Sequence, residues 1–393
     1  MTISYSGNFL KLLLRWKGSI WKAVWRELAG FLAVYFSISA LYRFGLNDEQ
    51  CKSFEHLANT FDAFTKRIPI TFLLGFYVTA VVRRWWEQFQ FVAWPDDVLT
   101  YVNVIIPGND EKSVQTRRTI ARWICLAAAL SWRDISKSVR RRFPTVDHLT
   151  TGDGLMTKHE LTIYNRVQTN TIKWSLPLFW IRSTVERHLA AAEKTDTAPG
   201  PPVVAMFYRE MNSYRNCFRS LYCYDWVCIP LVYTQVAALA TYGYFVLCVI
   251  GRQFLNPKRE LPGNLIDLYV PYFTILQFIF YVGWFKVGQY LMRPFEEDDD
   301  DIELNYMLDR HVQTAFSIVD EVMRMEIPPL DKCPDDEPTI PKIPYTRMSI
   351  RREQHPPKLH VTVQCKQKDD EEVIETLQPP VTNKRRPSRI REF

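Results

Sequence analysis

The chain has 393 residues, with 49 basic against 43 acidic and a formal charge of +6, an excess too mild to mark a nucleic-acid binder. Charged residues at 23% and a mean hydropathy of −0.17 describe a soluble protein, but the polarity is concentrated in the middle and the tail. Aromatics at 14%, with 12 Trp, fit an apolar body with wet edges, as at a membrane interface.

The opening stretch MTISYSGNFLKLLLRWKGS has a short apolar run but no small-residue cleavage site, so no cleavable signal is expected. The first candidate span, 28–42, is bracketed by Arg26 and Glu27 before it and Arg43 after it. The second, 68–82, lies between Arg67 and the pair Arg83 and Arg84. Both are short against the roughly 20 apolar residues that a bilayer requires. Buried helices of a soluble domain are the alternative. Trp21 and Trp25 before the first, and Trp85, Trp86 and Trp94 after the second, favour membrane edges.

The segment 87–224 reads as a cytosolic helical part. Arg117 to Val139 alternates charged and apolar positions at helical spacing, with Ile120, Ile124, Ala127 and Leu130 on one side. Thr157 with Glu160 is a candidate capping box. TAPGPP at 197–202 breaks the pattern, and a helix is expected from Val203 to Leu221. Two longer apolar runs follow, at 226–250 and at 268–285, the latter ending before Lys286. Lipid offers no partner for an open backbone, so both should be helices. Beyond about Ile327 the chain turns rich in Pro, Lys, Asp and Glu, and 328–393 reads as a disordered tail. Within it Lys384-Arg385-Arg386-Pro387-Ser388 is either a target for a basic-directed kinase, with Ser388 as acceptor, or a solvated basic run.

Basic residues near the span ends set the orientation. Arg15, Lys17, Lys22 and Arg26 precede the first span, Arg83 and Arg84 follow the second, and Arg140, Arg141 and Arg142 lie in the middle segment. Four spans then place both termini and 87–224 in the cytosol, with the loops 43–67 and 251–267 outside. The eight cysteines form no CxxC pair and no His stands at zinc spacing, so no disulfide framework is expected.

Three stretches could carry function. In IPITFLLGFYV, Ile68, Phe72 and Phe76 recur every four residues and would share one helical face. Around a central axis they would form apolar rings that gate by dewetting, and the positive edges of the Phe rings would favour anions. Ordinary packing is the other reading. The run Glu296 to Asp301 places six carboxylates in a row directly after the last span. Dense hard oxygens suit calcium, and on a helix Asp298 and Asp301 would share a face. A solvated acidic helix start explains the same residues. In GRQFLNP, Arg252 and Asn256 would position an anion at an outer mouth, or form a turn and an interface anchor. His148 and His159 are isolated and no catalytic constellation is present, so an enzyme is not expected.

Seven segments carry a resemblance to a known family: LLLRWKGSIWK at 12–22, IPITFLLGFYVT at 68–79, RRFP at 141–144, YDWVCIPLVYTQV at 224–236, GRQFLNP at 251–257, FYVGWFKV ending at Val287, and PFEEDDDD at 294–301. In order and spacing they resemble the bestrophin family across residues 1–320. The resemblance implies an all-α, multi-pass homopentamer in the plasma membrane, with a central pore for chloride opened by cytosolic calcium. It places Ile68, Phe72 and Phe76 on the hydrophobic neck, and Pro202 or Val203 near a second, cytosolic aperture. Asp298 and Asp301 fall on the side-chain calcium ligands, and Tyr290 and Arg293 where backbone carbonyls complete the ion's shell. Two departures stand out. Only Ser6 to Lys11 separate Tyr5 from Leu12, where the family usually has more residues, so its remaining backbone ligand has no assigned position here. Pro at the aperture is unusual because it fixes the backbone and lacks a donor. The expected partners are further copies of the chain, the lipid bilayer and permeant anions. The rival reading is a non-conducting membrane scaffold or regulatory subunit.

Overall fold

The computed structural model describes residues 9–151, 154–169, 171–256, 268–326 and 328. Among the described residues it is all-helical, with no strand and with thirteen α-helices. The chain divides into Met1–Met325 and Glu326–Phe393. Of the second unit only residues 326 and 328 are described, so the expected tail and Ser388 lie outside the described residues.

The first unit builds its core in two clusters. One joins α2 (Ile20–Ala40), α4 (Ile70–Gln90), α11 (Leu231–Gly251) and α12 (Tyr272–Leu291). Phe31 of α2, Phe245 of α11 and Phe278 of α12 meet there, with ring centroids 4.6–5.9 Å apart. Between apolar helices in lipid, such close packing supplies the association that hydrophobicity supplies in water. By length and apolarity, Ile20–Gly45 and Leu231–Gly251 each suffice to cross a membrane. The pair Asp48–Thr65 and Ile70–Gln90, bent by 44°, passes the same test together.

The helix bounds differ from the apolar runs for local reasons. α2 starts at Ile20, where the Ser19 hydroxyl caps the Lys22 amide, and it continues as a π-helical turn over Leu41–Gly45. α4 runs on through Arg83 and Arg84 to Gln90. α11 begins at Leu231, five residues after the expected start, because Pro230 sets the N-cap. α12 begins after Pro271 and continues past Lys286, whose ammonium lies 2.6 Å from Glu27 on α2. Lys is a good helix former, so the helix runs on, and pairing with Glu27 lowers the cost of holding that charge beside an apolar run.

The segment between the first two candidate spans holds α3 (Asp48–Thr65), opened by a capping box of Asn47 and Gln50. α3 lies against α11, and Gly251 permits the approach: a Cβ there would sit 2.7 Å from the Asp62 amide nitrogen.

The second cluster surrounds α6 (Glu111–Ile135) with α5 (Asp96–Ile105), α9 (Leu176–Glu193), α10 (Pro201–Trp226) and α13 (Leu304–Phe316). Ile120, Ile124, Ala127 and Leu130 are buried as expected, but so are Leu126, Ala128 and Ala129, so α6 is buried on every side over residues 124–132. It stops at Ile135, short of Val139, because Ser136 caps the next helix, α7 (Lys137–Arg142). Thr157 and Glu160 do form a capping box, opening α8 (Lys158–Arg166). Glu160 also receives two bonds from the Arg122 guanidinium, at 2.6 and 2.7 Å, and one from the Trp123 indole. α10 starts at Pro201, two residues before the expected Val203. The missing N–H of proline costs nothing in a first helical turn, which makes a proline at 202 compatible with its place.

Candidate functional site: an exposed phenylalanine pair and an acidic loop

On α4, Ile70, Leu74, Tyr77, Val78 and Val81 turn into the helical core. Phe72 and Phe76 point the other way, 61% and 59% exposed, with their rings 4.7 Å apart and nearly edge-on. Ile68 does not share their helix. It sits in the turn before Ile70, half-buried against the core, with Pro69 between it and the first helical residue. Proline biases the preceding residue away from helix, so the expected three-residue stripe is two helical residues plus one turn residue. Pro202 is exposed and Val203 half-buried in the first turn of α10, where Val203 packs against the cluster around α6.

The acidic run is a loop between α12 and α13, not a helix start, so the face that Asp298 and Asp301 would share on a helix does not exist. Phe295 at one end and Ile302 at the other are buried in the cluster around α6, and the Ile302 amide donates to the Pro294 carbonyl at 2.7 Å. With its ends pinned together, residues 296–301 close into a compact bow.

Six carboxylates in that bow divide into two groups. Glu296 accepts from Lys137 and Arg293, at 3.0 and 3.1 Å, and Glu297 lies 2.6 Å from Arg141. Asp299 pairs with Lys22, and also accepts from the Gly18 amide at 3.1 Å. Gly18 holds a positive φ of 67°, a conformation that other residues adopt only with strain. Among the described residues, Asp298, Asp300 and Asp301 form no close ion pair, and the Lys22 charge reaches Asp298 and Asp300 only at longer range. Instead the Asp298 amide donates to the Asp301 carboxylate at 2.7 Å, and the Asp301 amide returns to the Asp298 carbonyl.

Electrostatics follow that division. Lys22 holds the Asp299 carboxyl below its ordinary range. Burial, then the nearby Asp298, Glu296 and Asp300 charges, push the Asp301 carboxyl up to about 7, against the opposing Asp298 amide. Burial and the neighbouring Asp299 and Asp298 likewise raise Asp300. The crowding and burial therefore favour a proton on Asp301 near neutral pH, and a cation placed beside these carboxylates, next to a helix end, would displace that proton. The last four carbonyls of α12, Tyr290 among them, have no intrahelical partner. Among the described residues no three His, Cys, Asp or Glu side chains converge as a metal-holding group. Two carboxylates supplemented by main-chain carbonyls make a hard-oxygen donor set that fits calcium and does not fit zinc.

The stretch after α11 is already engaged. Arg252 lies 2.9 Å from Asp62, its carbonyl accepts from the Tyr35 hydroxyl at 2.9 Å, and the Asn256 amide donates to the Tyr42 hydroxyl. Arg252 is thus an anchor between α11 and α3. The remainder of that loop, from residue 257 to 267, lies outside the described residues.

Sequence reasoning missed how the loop is held. The run Arg140–Arg142, read as an orientation signal and as part of a family-matching segment, supplies ion pairs to Glu297 and Asp309, and Lys22 and Gly18 supply the anchor on Asp299. Charge complementarity between KSVRRR and EEDDDD was the available signal, but nothing in the sequence places them together.

A family model described as "Bestrophin, RFP-TM, chloride channel" matches residues 1–321. Bestrophin homolog 13 of Caenorhabditis elegans is 45% identical over 390 residues, covering 92% of this chain and 93% of the relative. Human bestrophin-3 is 40% identical over 354 residues, covering 88% of this chain and 52% of its own length. In fold, the chain is similar to a crystal structure of a point mutant of a bacterial bestrophin homologue from Klebsiella pneumoniae, with a TM-score of 0.51, 14% identity, and coverage of 74% of this chain and 97% of that one. A second crystal structure of a bestrophin homologue from the same bacterium gives a TM-score of 0.50 at 13% identity, covering 77% and 98%. Matched over its first 321 residues and by close relatives along most of its length, the chain belongs to the bestrophin family, membrane proteins whose family model describes a chloride channel.

Proposed function

We propose that the chain assembles as a homopentamer in the plasma membrane and forms an anion channel that cytosolic calcium opens. Four helices, α2, α4, α11 and α12, would span the bilayer, with both termini cytosolic. Chloride would be one permeant ion. The observation that carries this reading is the pair Phe72 and Phe76, two large apolar side chains turned out of a tightly packed helix core and stacked on one face. Repeated around an axis, with Ile68 above them, such faces make a greasy collar that is closed when narrow because water leaves it. The cytosolic aperture would lie at Pro202 and Val203.

Anions crossing the collar would shed part of their hydration, so weakly hydrated ions such as iodide and thiocyanate would be preferred to chloride. Phe ring edges, carrying partial positive charge, would compensate an anion better than a cation.

Asp298 and Asp301 would hold calcium with the main-chain carbonyls of Tyr290 and Arg293. Calcium, when bound, would supply the divalent charge that the unpaired carboxylates of the loop lack. Glu296 and Glu297 fasten the loop to α7, and Asp299 fastens it to the start of α2; since the loop also follows α12, its conformation bears on the ends of two membrane helices, α2 and α12. For the neck to open, the loop must bind the ion better in the open form than in the closed form. Purified protein in liposomes tests the reading: chloride flux that rises with micromolar calcium supports it, and silence from intact pentamers favours a non-conducting scaffold or regulatory subunit.

A further inference from the structure

A cavity of about 570 Å³ lies where the apolar helices end, between α4, α7, α10, the start of α11 and the stretch after α12. Its size is that of small-molecule pockets, roughly 300–1,000 Å³. Four cationic side chains line it: Arg84, Lys137, Arg140 and Arg293. Asp134, Asp225 and Glu296 line it too, so cations exceed acids by one.

The cations are incompletely satisfied. Lys137 and Arg293 share the single Glu296 carboxylate. Arg84 donates only to the Tyr224 carbonyl and lies 4.9 Å from that ring, and its Nε is buried with no acceptor. Arg140 donates only to the carbonyls of Arg133 and Asp134. Among the described residues neither arginine forms a close ion pair, although the Glu87 carboxylate lies within electrostatic reach of Arg84. Asp134 cannot serve them freely, because it accepts from the Tyr222 hydroxyl at 2.8 Å. A guanidinium bonds a phosphate oxygen more strongly than a neutral carbonyl, so an anion with several acceptor oxygens competes for these donors.

We infer that this cavity is a binding site for a phosphate monoester, presented by a lipid headgroup of the cytosolic leaflet or by a soluble phosphate compound. A phosphate monoester brings about −1.5 to −2 charge and three acceptor oxygens, matching two under-used guanidinium groups and a shared ammonium. The first turn of α11 adds N–H groups at the same wall, since Pro230 provides no side-chain cap. Apolar Ile229, Leu231 and Met292 complete the lining, and Leu231 is 69% exposed, which suits an amphiphile entering from the membrane side. Because Glu296 is both a wall of the cavity and part of the acidic loop, a bound phosphate competes with it for Lys137 and Arg293 and thereby loosens one fastening of that loop.

The test uses the full chain in phosphatidylcholine nanodiscs without calcium, so that it reads binding independently of conduction. Dioctanoyl phosphatidylinositol bisphosphate, inositol trisphosphate and inorganic phosphate are titrated in turn at physiological chloride, with native mass spectrometry counting bound molecules. The expected result is saturable binding that Lys137→Gln with Arg140→Gln weakens about tenfold or more, and that Arg140→Lys, which keeps the charge but loses the planar fork, weakens to a smaller extent. Lipid bound more tightly than the soluble phosphates identifies the leaflet as the source, and equal affinities identify a soluble ligand. Should the double variant fail to fold by size exclusion, Lys137→Gln alone, at an exposed side chain, gives the same comparison with a smaller loss. Absence of binding by all three probes, or equal binding by folded variants and the unsubstituted chain, overturns the assignment.

Discussion

Lys22, in the first turn of α2, forms an ion pair with Asp299 in the loop that follows α12, across 277 residues of sequence. The Gly18 amide reaches the same carboxylate oxygen. Two contacts therefore tie the entrance of the first long apolar helix to the loop at the exit of the last.

That tie predicts a coupling effect without a folding effect. Lys22→Ala or Asp299→Asn should raise the calcium concentration for half-activation by about two- to fivefold, the modest size expected for an exposed pair. Inside-out patches measure it, and an unchanged calcium curve would remove Lys22 from the coupling. Raising salt on the cytosolic side should shift the unsubstituted channel the same way.

Asp301→Asn separates charge from structure. An Asn carbonyl still accepts the Asp298 amide that closes the loop, but it lacks the carboxylate charge. Calcium affinity, measured by titration of the purified protein, should fall at least about tenfold with melting temperature in chelator nearly unchanged. Asp298→Asn should do the same. Loss of the fold in chelator would point to a purely structural aspartate instead.

His311 on α13 is fully buried, with its Nε2 2.8 Å from the Ala93 carbonyl and its ring against Trp94 and Trp132. Burial, which outweighs the Ala93 bond, and the nearby Arg310 bring its pKa down to about 4. The folded value thus lies below the ordinary 6.5, and between the two the unfolded chain takes a proton that the folded chain refuses. Stability from this group is therefore present above about pH 6.5 and is lost as pH falls towards 4, by up to about 2 kcal/mol at about pH 5. Chemical denaturation at several pH values reads this slope, and His311→Gln should flatten it. An equal slope in both proteins would contradict the assignment.

Glu160 anchors α8 to α6 through the bidentate Arg122 contact, the Trp123 indole and the Thr157 amide. Burial alone would raise its carboxyl, but these donors hold it below the usual range. Glu160→Ala strands the half-buried guanidinium and should cost about 3 kcal/mol. Thermal unfolding should show a clear fall in melting temperature, whereas calcium sensitivity in the protein that still folds should be unchanged.

The helices were legible in sequence because long apolar runs and the Thr157–Glu160 signature depend on nearby residues. Their ends were less so: Ser19 and Pro230 moved two starts, and α12 runs past Lys286, which marks the end of an apolar run and not of a helix. The acidic run was visible as a cluster, but its loop conformation depends on Phe295 and Ile302 being buried in the α6 cluster. The division into paired and unpaired carboxylates depends on Lys22, Lys137 and Arg141, all distant in sequence. Local pattern carries no information about such contacts.

The neck is where the channel reading is most exposed to test. Ile68→Ala, Phe72→Ala and Phe76→Ala should be combined in one chain and purified channels recorded in planar bilayers, with calcium chelated on both sides. A collar that closes by excluding water predicts sustained anion current in the triple variant where the unsubstituted channel is silent. Silent chelated recordings from the variant, together with ordinary opening once calcium is added, would contradict it.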